Sequence, residues 1–282
     1  MADMDFITDR NGIRKLYRWV NQASWGINPI GQAQIFRIDV ELVGRTILLQ
    51  RWEAESTQLG GPGYEKNFQK RATSQSPGCE NGTGHHRIVT FTFGGKKFLM
   101  RCTTDACLPF KEEEDQDPLD KLTKNFNSMN LQQRPISKVR KIATYKGGFL
   151  SVQTVGKLVP QESIIELKTK GEIVNPVCYD DLYVQLLFAQ ISNIYTGRHK
   201  RGEFYTVEKT SMDAIKEKAG DTMDDRLKLL KKLLDEIQRV VLENIEDGGS
   251  LSIVVAGNGT LKVLKREGKN GLLPENILNF IY

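Results

Sequence analysis

The pattern of apolar and polar positions predicts a chain that mixes helices with hairpin-forming strands. Apolar residues recur at helical spacing over 8–20, behind Thr8 or Asp9 as the N-cap. Residues 34–42 then alternate strictly, with four apolar side chains on one face and mostly polar ones on the other. A second strand-like run, 45–53, follows after a glycine. The N-terminal part therefore predicts a helix followed by two neighbouring strands.

The remaining pattern continues this mixture of strands and helices. A glycine pair joins 87–93 to 96–103, which is typical of a β-hairpin. Residues 57–85 are rich in Gly, Ser, Asn and Thr and predict mainly loop. Further predicted elements are a strand at 163–169, a buried helix at 181–195, a short strand at 203–208, an amphipathic helix at 223–246 and a hairpin of 250–256 with 260–266. This order predicts an α+β fold with a mixed β-sheet core flanked by helices.

One segment departs from the pattern and predicts a mobile acidic insertion at 111–135. The acidic run within it, 112–120, lacks a hydrophobic face and contains Pro118. The rest of the chain is expected to form a single domain over 1–282. The acidic run also leaves open an interaction module, in which 112–120 recruits a basic protein partner.

Composition narrows the class of protein. The chain has 282 residues, of which 39% are hydrophobic and 27% charged, as in globular proteins. The net charge of +5 permits a polyanionic partner without requiring one. No run approaches the 18 apolar residues of a membrane span, and the start lacks an apolar signal core. We therefore expect no membrane, an intracellular location in the nucleus or cytoplasm, and free thiols at all 4 cysteines.

The sharpest candidate chemistry lies in the predicted strand at 163–169. Glu166 and Lys168 are two residues apart, so both side chains project from one face of the strand. A carboxylate can bind Mg²⁺ or Mn²⁺, and a neighbouring ammonium can stabilise the anion formed when a phosphodiester is attacked. Asp105, just after the strand at 96–103, could supply a second metal ligand. A plain cross-strand salt bridge or a solvated face remains the alternative.

Gln190 extends this set, because it is a polar residue in an otherwise apolar helical run. A buried glutamine needs hydrogen-bond partners, which either the core or a site can provide. An aspartate, a Glu-x-Lys pair and a following helix with a polar residue together form the skeleton of PD-(D/E)xK nucleases. The sequence therefore indicates such a site, with a satisfied core amide as the alternative for Gln190.

Four segments carry a more specific resemblance: TDRNGIRKLYRWVN (8–21), TGHHRIVTFTFGGKKFLMRCTTDA (83–106), LVPQESIIELKTK (158–170) and LYVQLLFAQISNIYTGRHKRGEF (182–204). They resemble fungal proteins labelled "geranylgeranyl pyrophosphate synthetase", which in turn resemble DXO-type decapping nucleases. The resemblance implies a PD-(D/E)xK-like fold and metal-dependent hydrolysis at the 5′ end of RNA. It does not favour prenyl synthesis, since no DDxxD motif with its closing aspartate is present.

The resemblance also implies roles for individual residues. Asp105 and Glu166 would bind Mg²⁺ or Mn²⁺, Lys168 would activate water, and Gln190 would position water or phosphate. Arg198, which resembles the family's basic position after the glutamine-containing helix, would contact the RNA backbone. Lys200 and Arg201 follow it in the same basic turn and could also follow the phosphates, with a solvated face as the alternative.

Two positions depart from the nuclease pattern. Thr103 stands where relatives have the first carboxylate of an E-x-D pair. Relatives also have an acidic residue at the end of a Gly-aromatic stretch, "G..FE". The nearest match here is Phe68-Gln69, where glutamine takes the place of the glutamate, and Glu65 lies four positions before Gln69. Hydroxyl and amide oxygens are weaker ligands than carboxylates for a hard cation. The sequence thus leaves a second hypothesis, a catalytically impaired relative that binds RNA or a protein partner.

Overall fold

A computed structural model describes residues 3–21, 35–53, 63–75, 79, 82–110, 140–144, 151–154, 158–172, 177–247, 249–266 and 271–273. The strands are β1 (Phe6–Asp9), β2 (Phe36–Val43), β3 (Thr46–Trp52), β4 (His86–Phe93), β5 (Lys96–Thr103), β6 (Ala106–Cys107), β7 (Arg140–Thr144), β8 (Ser151–Thr154), β9 (Ile164–Gly171), β10 (Asn193–Lys200), β11 (Glu203–Ser211), β12 (Leu251–Val255) and β13 (Leu261–Lys265). The helices are α1 (Arg10–Val20), α2 (Glu65–Ala72), α3 (Tyr179–Ala189), α4 (Met212–Ala219) and α5 (Met223–Glu243), with short 3₁₀ turns at Gln161–Ser163 and Ile245–Asp247.

The larger sheet has seven strands in the order β13-β12-β2-β3-β1-β5-β4. β1 lies between β3 and β5 and runs parallel to both, whereas the hairpins β2–β3, β4–β5 and β12–β13 are antiparallel. The chain passes from β1 directly into α1, where the Asp9 carboxylate caps the helix by accepting from the backbone N–H of Gly12 at 2.9 Å. The carboxyl ends of three parallel strands therefore meet at the start of α1.

The smaller sheet has the order β11-β10-β9-β6. β9 and β10 are parallel neighbours, and α3 connects them as the crossover helix. The register pairs Glu166 with Ile194 and Lys168 with Thr196. Because paired residues of parallel strands share a face, these side chains all project on the same side of the sheet.

β9 is buried on both of its faces. Ile164 and Ile194 belong to the main core, while Ile165 and Leu167 pack with Phe68 of α2 in a second, smaller cluster. Glu166 and Lys168 therefore face the main core, between the sheet and the helices that cover it. A charged pair in this setting must find its partners inside the protein.

The predicted α+β class with a mixed sheet and flanking helices is confirmed. The predicted helix at 181–195 is too long: it ends at Ala189, and 193–200 forms β10 instead. Residues 57–85 contain the helix α2, and α4 was not predicted. The acidic stretch 111–135 lies outside the described residues. None of the described helices is both long and apolar enough to cross a membrane.

Candidate functional site

Glu166 is the centre of the candidate site and has only 1% of its surface exposed. Its Oε2 accepts from Nη1 of Arg10 at 3.0 Å, and its Oε1 accepts from Nζ of Lys168 at 3.0 Å. Oε1 also accepts a hydrogen bond from Nε2 of Gln185 on α3. We refer to Glu166, Arg10, Lys168 and Gln185 as the Glu166 cluster. Three elements that are distant in sequence, α1, β9 and α3, thus meet at one carboxylate.

The charges of the cluster stabilise one another. Burial alone would raise the pKa of Glu166, but Lys168 and Arg10 outweigh it and hold that pKa below its ordinary value. Burial would likewise lower the pKa of Lys168, and the surrounding carboxylates raise it instead. Both side chains are therefore ionised at neutral pH.

Asp105 lies beside the cluster, directly after β5. Its Oδ2 accepts from the backbone N–H of Leu167 at 2.9 Å, which ties the end of β5 to β9. Burial and the nearby Glu166 charge raise the pKa of Asp105 to about 6, against the partial compensation of Lys168. Asp105 is therefore the acid of the site whose ionisation the fold disfavours.

This raised pKa predicts a pH effect that an Asp105→Asn variant removes. An aspartate with a pKa near 3.9 in the unfolded chain and about 6 in the folded one lowers stability as pH rises through that window. Urea unfolding from pH 4 to pH 7 should show the variant gaining about 2 kcal/mol over the natural chain, because asparagine cannot ionise and still accepts from Leu167. A stability difference that stays constant with pH would contradict the assignment.

Glu65 is a further carboxylate that the structure brings to this site. Its Oε1 lies 3.4 Å from Nζ of Lys168. Glu65 opens α2, whose Phe68 packs against β9, so the helix is anchored close to the cluster. Glu65 thus brings a carboxylate to the site, which Gln69 lacks. The signal was Gly61-Pro62-Gly63-Tyr64-Glu65, which has the spacing of "G..FE" with tyrosine in place of phenylalanine.

The expected site residues do not all meet. Asp105, Glu166 and Lys168 come together, but the side chain of Gln190 donates to the carbonyl oxygen of Leu187 at 2.6 Å. Gln190 is the left-handed C-cap of α3, with φ of 55°, so it leaves the helix instead of facing the site. The glutamine that contacts Glu166 is Gln185, a little over one turn earlier.

The three basic residues expected to bind RNA lie farther along β10. Arg198 pairs in register with Lys170 and forms an ion pair with Glu208 at 2.9 Å. Lys200 is exposed and lies 3.5 Å from Glu172, and Arg201 occupies the turn to β11. Arg198 and Lys200 follow Thr196 on the same strand face, and Arg198 is the nearer of the two to Thr196, whose register partner is Lys168.

The side chains in this arrangement do not fit a divalent metal ion as its ligands. Both oxygens of Glu166 already accept hydrogen bonds, and the Lys168 ammonium lies between Glu166 and Glu65. Thr103 contributes no carboxylate; its hydroxyl lies 3.5 Å from Nδ1 of His86. Across the described ranges, no group of three or more His, Cys, Asp or Glu residues is arranged to bind a metal. A cation at Glu166 would compete with Arg10 and Lys168 for the oxygens of that carboxylate.

Comparison with known proteins gives a family and a fold. The family model described as "Domain of unknown function (DUF8563)" matches residues 1–281. A search of curated protein sequences finds no match. Among solved structures, S. pombe Rai1 in complex with 3′-FADP has a TM-score of 0.58 at 14% identity, covering 93% of this chain and 70% of Rai1.

Two further structures have the same fold. Candida albicans Rai1 in complex with pU5-Mn²⁺ has a TM-score of 0.58 at 11% identity, covering 94% of this chain and 70% of that one. K. lactis Dxo1 in complex with manganese has a TM-score of 0.57 at 8% identity, with 96% and 68% covered. The expected likeness to DXO-type nucleases is thereby confirmed at the level of the fold.

Proposed function

The chain belongs to the DUF8563 family, and we propose that it binds RNA without hydrolysing it. The proposal starts from the Glu166 cluster. One observation carries the proposal: both oxygens of the buried Glu166 are held by Arg10, Lys168 and Gln185. The chain's own cations take the place that a divalent ion would need. This corresponds to the hypothesis of a catalytically impaired relative.

RNA is the proposed ligand because of the fold and the charges near the cluster. Rai1 structures of the same fold contain pU5 with Mn²⁺ or 3′-FADP. In this chain, Lys170 and Arg198 continue the row of side chains beyond Lys168 and Thr196 on one face of the small sheet. Successive residues on one strand face are about 6.6 Å apart, a spacing that suits contacts along a phosphodiester backbone.

A metal-dependent hydrolase acting at RNA 5′ ends is the second candidate. The observation in its favour is that Glu65, Asp105 and Glu166 all lie close to Lys168. Three carboxylates would suit Mg²⁺ or Mn²⁺ if Lys168 and Arg10 turned away from them. The threonine at 103 weakens this candidate, because it supplies one carboxylate fewer than the resemblance implies.

Binding in the absence of metal tests the proposal. Fluorescence anisotropy with a labelled single-stranded RNA should give the same Kd in EDTA as in Mn²⁺. Arg198→Gln should weaken binding and reduce the slope of log K against log salt by about 0.7, as expected for one lost phosphate contact on a single strand. Arg239→Gln, on the exposed face of α5, serves as the charge-matched control and should bind normally. Binding that requires Mn²⁺ would favour the hydrolase instead.

A further inference from the structure

One face of the large sheet lies away from the main core. On β2, Phe36, Ile38 and Val40 belong to that core, so the residues that alternate with them project from the opposite side, which we call the outer face. Because paired residues of neighbouring strands share a face, the register continues one row of outer-face side chains across four strands. This Trp52 row is made of Trp52 of β3, Arg37 of β2, Val254 of β12 and Lys262 of β13.

Trp52 is the aromatic member of this row and is 50% exposed, although tryptophan is a residue that folded proteins bury to a large extent. The guanidinium carbon of Arg37 lies 5.5 Å from the centroid of the Trp52 ring, in cation–π contact. The indole is therefore held against Arg37 while half of the residue stays accessible to a ligand.

Arg37 is in turn fixed by a carboxylate beneath the surface of the outer face. Its Nε donates to Oδ1 of Asp39 at 2.7 Å and its Nη2 donates to Oδ2 at 3.1 Å, as a bidentate pair. Asp39 is only 8% exposed, and its Oδ1 also accepts from the hydroxyl of Ser252 at 2.6 Å. The guanidinium beside Trp52 is thus oriented before a ligand arrives, which lowers the entropic cost of binding.

The chemistry of the Trp52 row suits single-stranded RNA. Indole rings and guanidinium groups both present flat faces on which unpaired bases stack. Lys262 is exposed and adds a positive charge, whereas the Asp39 carboxylate beside the row is occupied by Arg37 and Ser252. In RNA-binding modules built on a four-stranded sheet, aromatic side chains on the sheet surface stack about two or three bases.

We propose that the Trp52 row is a second contact surface for single-stranded RNA, on which a base stacks against Trp52. The surface is separate from the Glu166 cluster, which faces the main core, and from the row of Lys170 and Arg198 on the small sheet. The two RNA contacts differ in their dependence on salt. A phosphate contact releases counterions from the RNA, and base stacking does not.

Trp52→Leu tests the surface, because leucine fills the position without an aromatic face. In fluorescence anisotropy with a labelled oligouridylate, the variant should bind about ten-fold more weakly than the natural chain, with an unchanged slope of log K against log salt. Trp52→Phe should restore most of the affinity, since phenylalanine also stacks on bases. Ile88→Ser is the matched control and should bind normally, because Ile88 is 67% exposed on the same face at the β4 edge of the sheet.

Tryptophan emission reports the stacking directly. Trp19, the other tryptophan within the described ranges, donates through Nε1 to the carbonyl oxygen of Gly259 at 2.9 Å. Oligouridylate should quench the emission of the natural chain and of Trp19→Phe, and should leave that of Trp52→Phe unchanged.

The outcomes separate this surface from the proposed function. If Trp52→Leu binds as tightly as the natural chain, the surface is overturned, and RNA binding through Arg198 still stands. Weaker binding that Trp52→Phe does not restore would overturn stacking as its cause. Weaker binding of Trp52→Leu beside normal binding of Arg198→Gln would support the surface and contradict the basic row. If the natural chain binds no RNA, both proposals fail.

Discussion

Replacing Arg10 by methionine is expected to cost about 3–5 kcal/mol of folding stability, the range found when one partner of a buried ion pair is removed. Arg10 is only 7% exposed, and methionine fills similar space without charge. Glu166 would keep Lys168 and Gln185, but its Oε2 would remain buried without the donor it has now. Urea unfolding at pH 7 measures the loss.

A matched substitution separates this effect from a general loss of charge. Arg45→Met removes an exposed guanidinium from the β2–β3 turn and should change stability by no more than about 0.5 kcal/mol. If Arg10→Met were as stable as Arg45→Met, the cluster would not be the buried ion network described above.

The second large effect is expected at Gly202, in the turn between β10 and β11. Gly202 has φ of +93°, and a Cβ atom there would lie 2.4 Å from the Tyr64 ring. Tyr64 precedes Glu65 and packs on His199, with ring centroids 4.6 Å apart. Gly202→Ala should therefore destabilise the protein by about 2–4 kcal/mol, through backbone strain together with displacement of the ring.

Gly95 provides the control for backbone strain alone. It has φ of +83° in the β4–β5 turn, and a Cβ atom there would meet nothing within 4 Å. Gly95→Ala should cost about 1 kcal/mol. Equal losses at the two glycines would show that Tyr64 does not depend on Gly202 for its position.

The local part of the site was predictable from the sequence. The two-residue spacing of Glu166 and Lys168 placed both on one strand face, and the glycine pair after β4 identified the hairpin that leads to Asp105. These predictions depend only on the geometry of a single strand or turn. For the cap of α1 the sequence offered Thr8 or Asp9, and the structure shows Asp9.

The contacts of the site between residues far apart in sequence could not be predicted in the same way. Arg10 reaches Glu166 across 156 positions, and only the packing of α1 against the sheets brings them together. The choice between Gln185 and Gln190 depended on where α3 ends. The apolar run continues past Ala189 into β10, so periodicity alone could not show that Gln190 leaves the helix.

The charges around Glu166 balance one another within the chain itself. The carboxylates Glu65, Asp105 and Glu166 remain together, and the charges beside them come from Lys168 and Arg10. A buried carboxylate needs an opposite charge nearby, whether a metal ion or a side chain provides it. In this chain the side chains of Lys168 and Arg10 provide it.

Cleavage of end-labelled RNA distinguishes a protein that only binds RNA from one that hydrolyses it. A 5′-labelled set with monophosphate, triphosphate and capped ends would be incubated with the protein in Mn²⁺ or Mg²⁺, beside a Glu166→Ala/Lys168→Ala double variant. We expect the folded natural chain to retain RNA and to cleave none of the set. Metal-dependent cleavage by the natural chain that disappears in the double variant would contradict this expectation and establish the hydrolase.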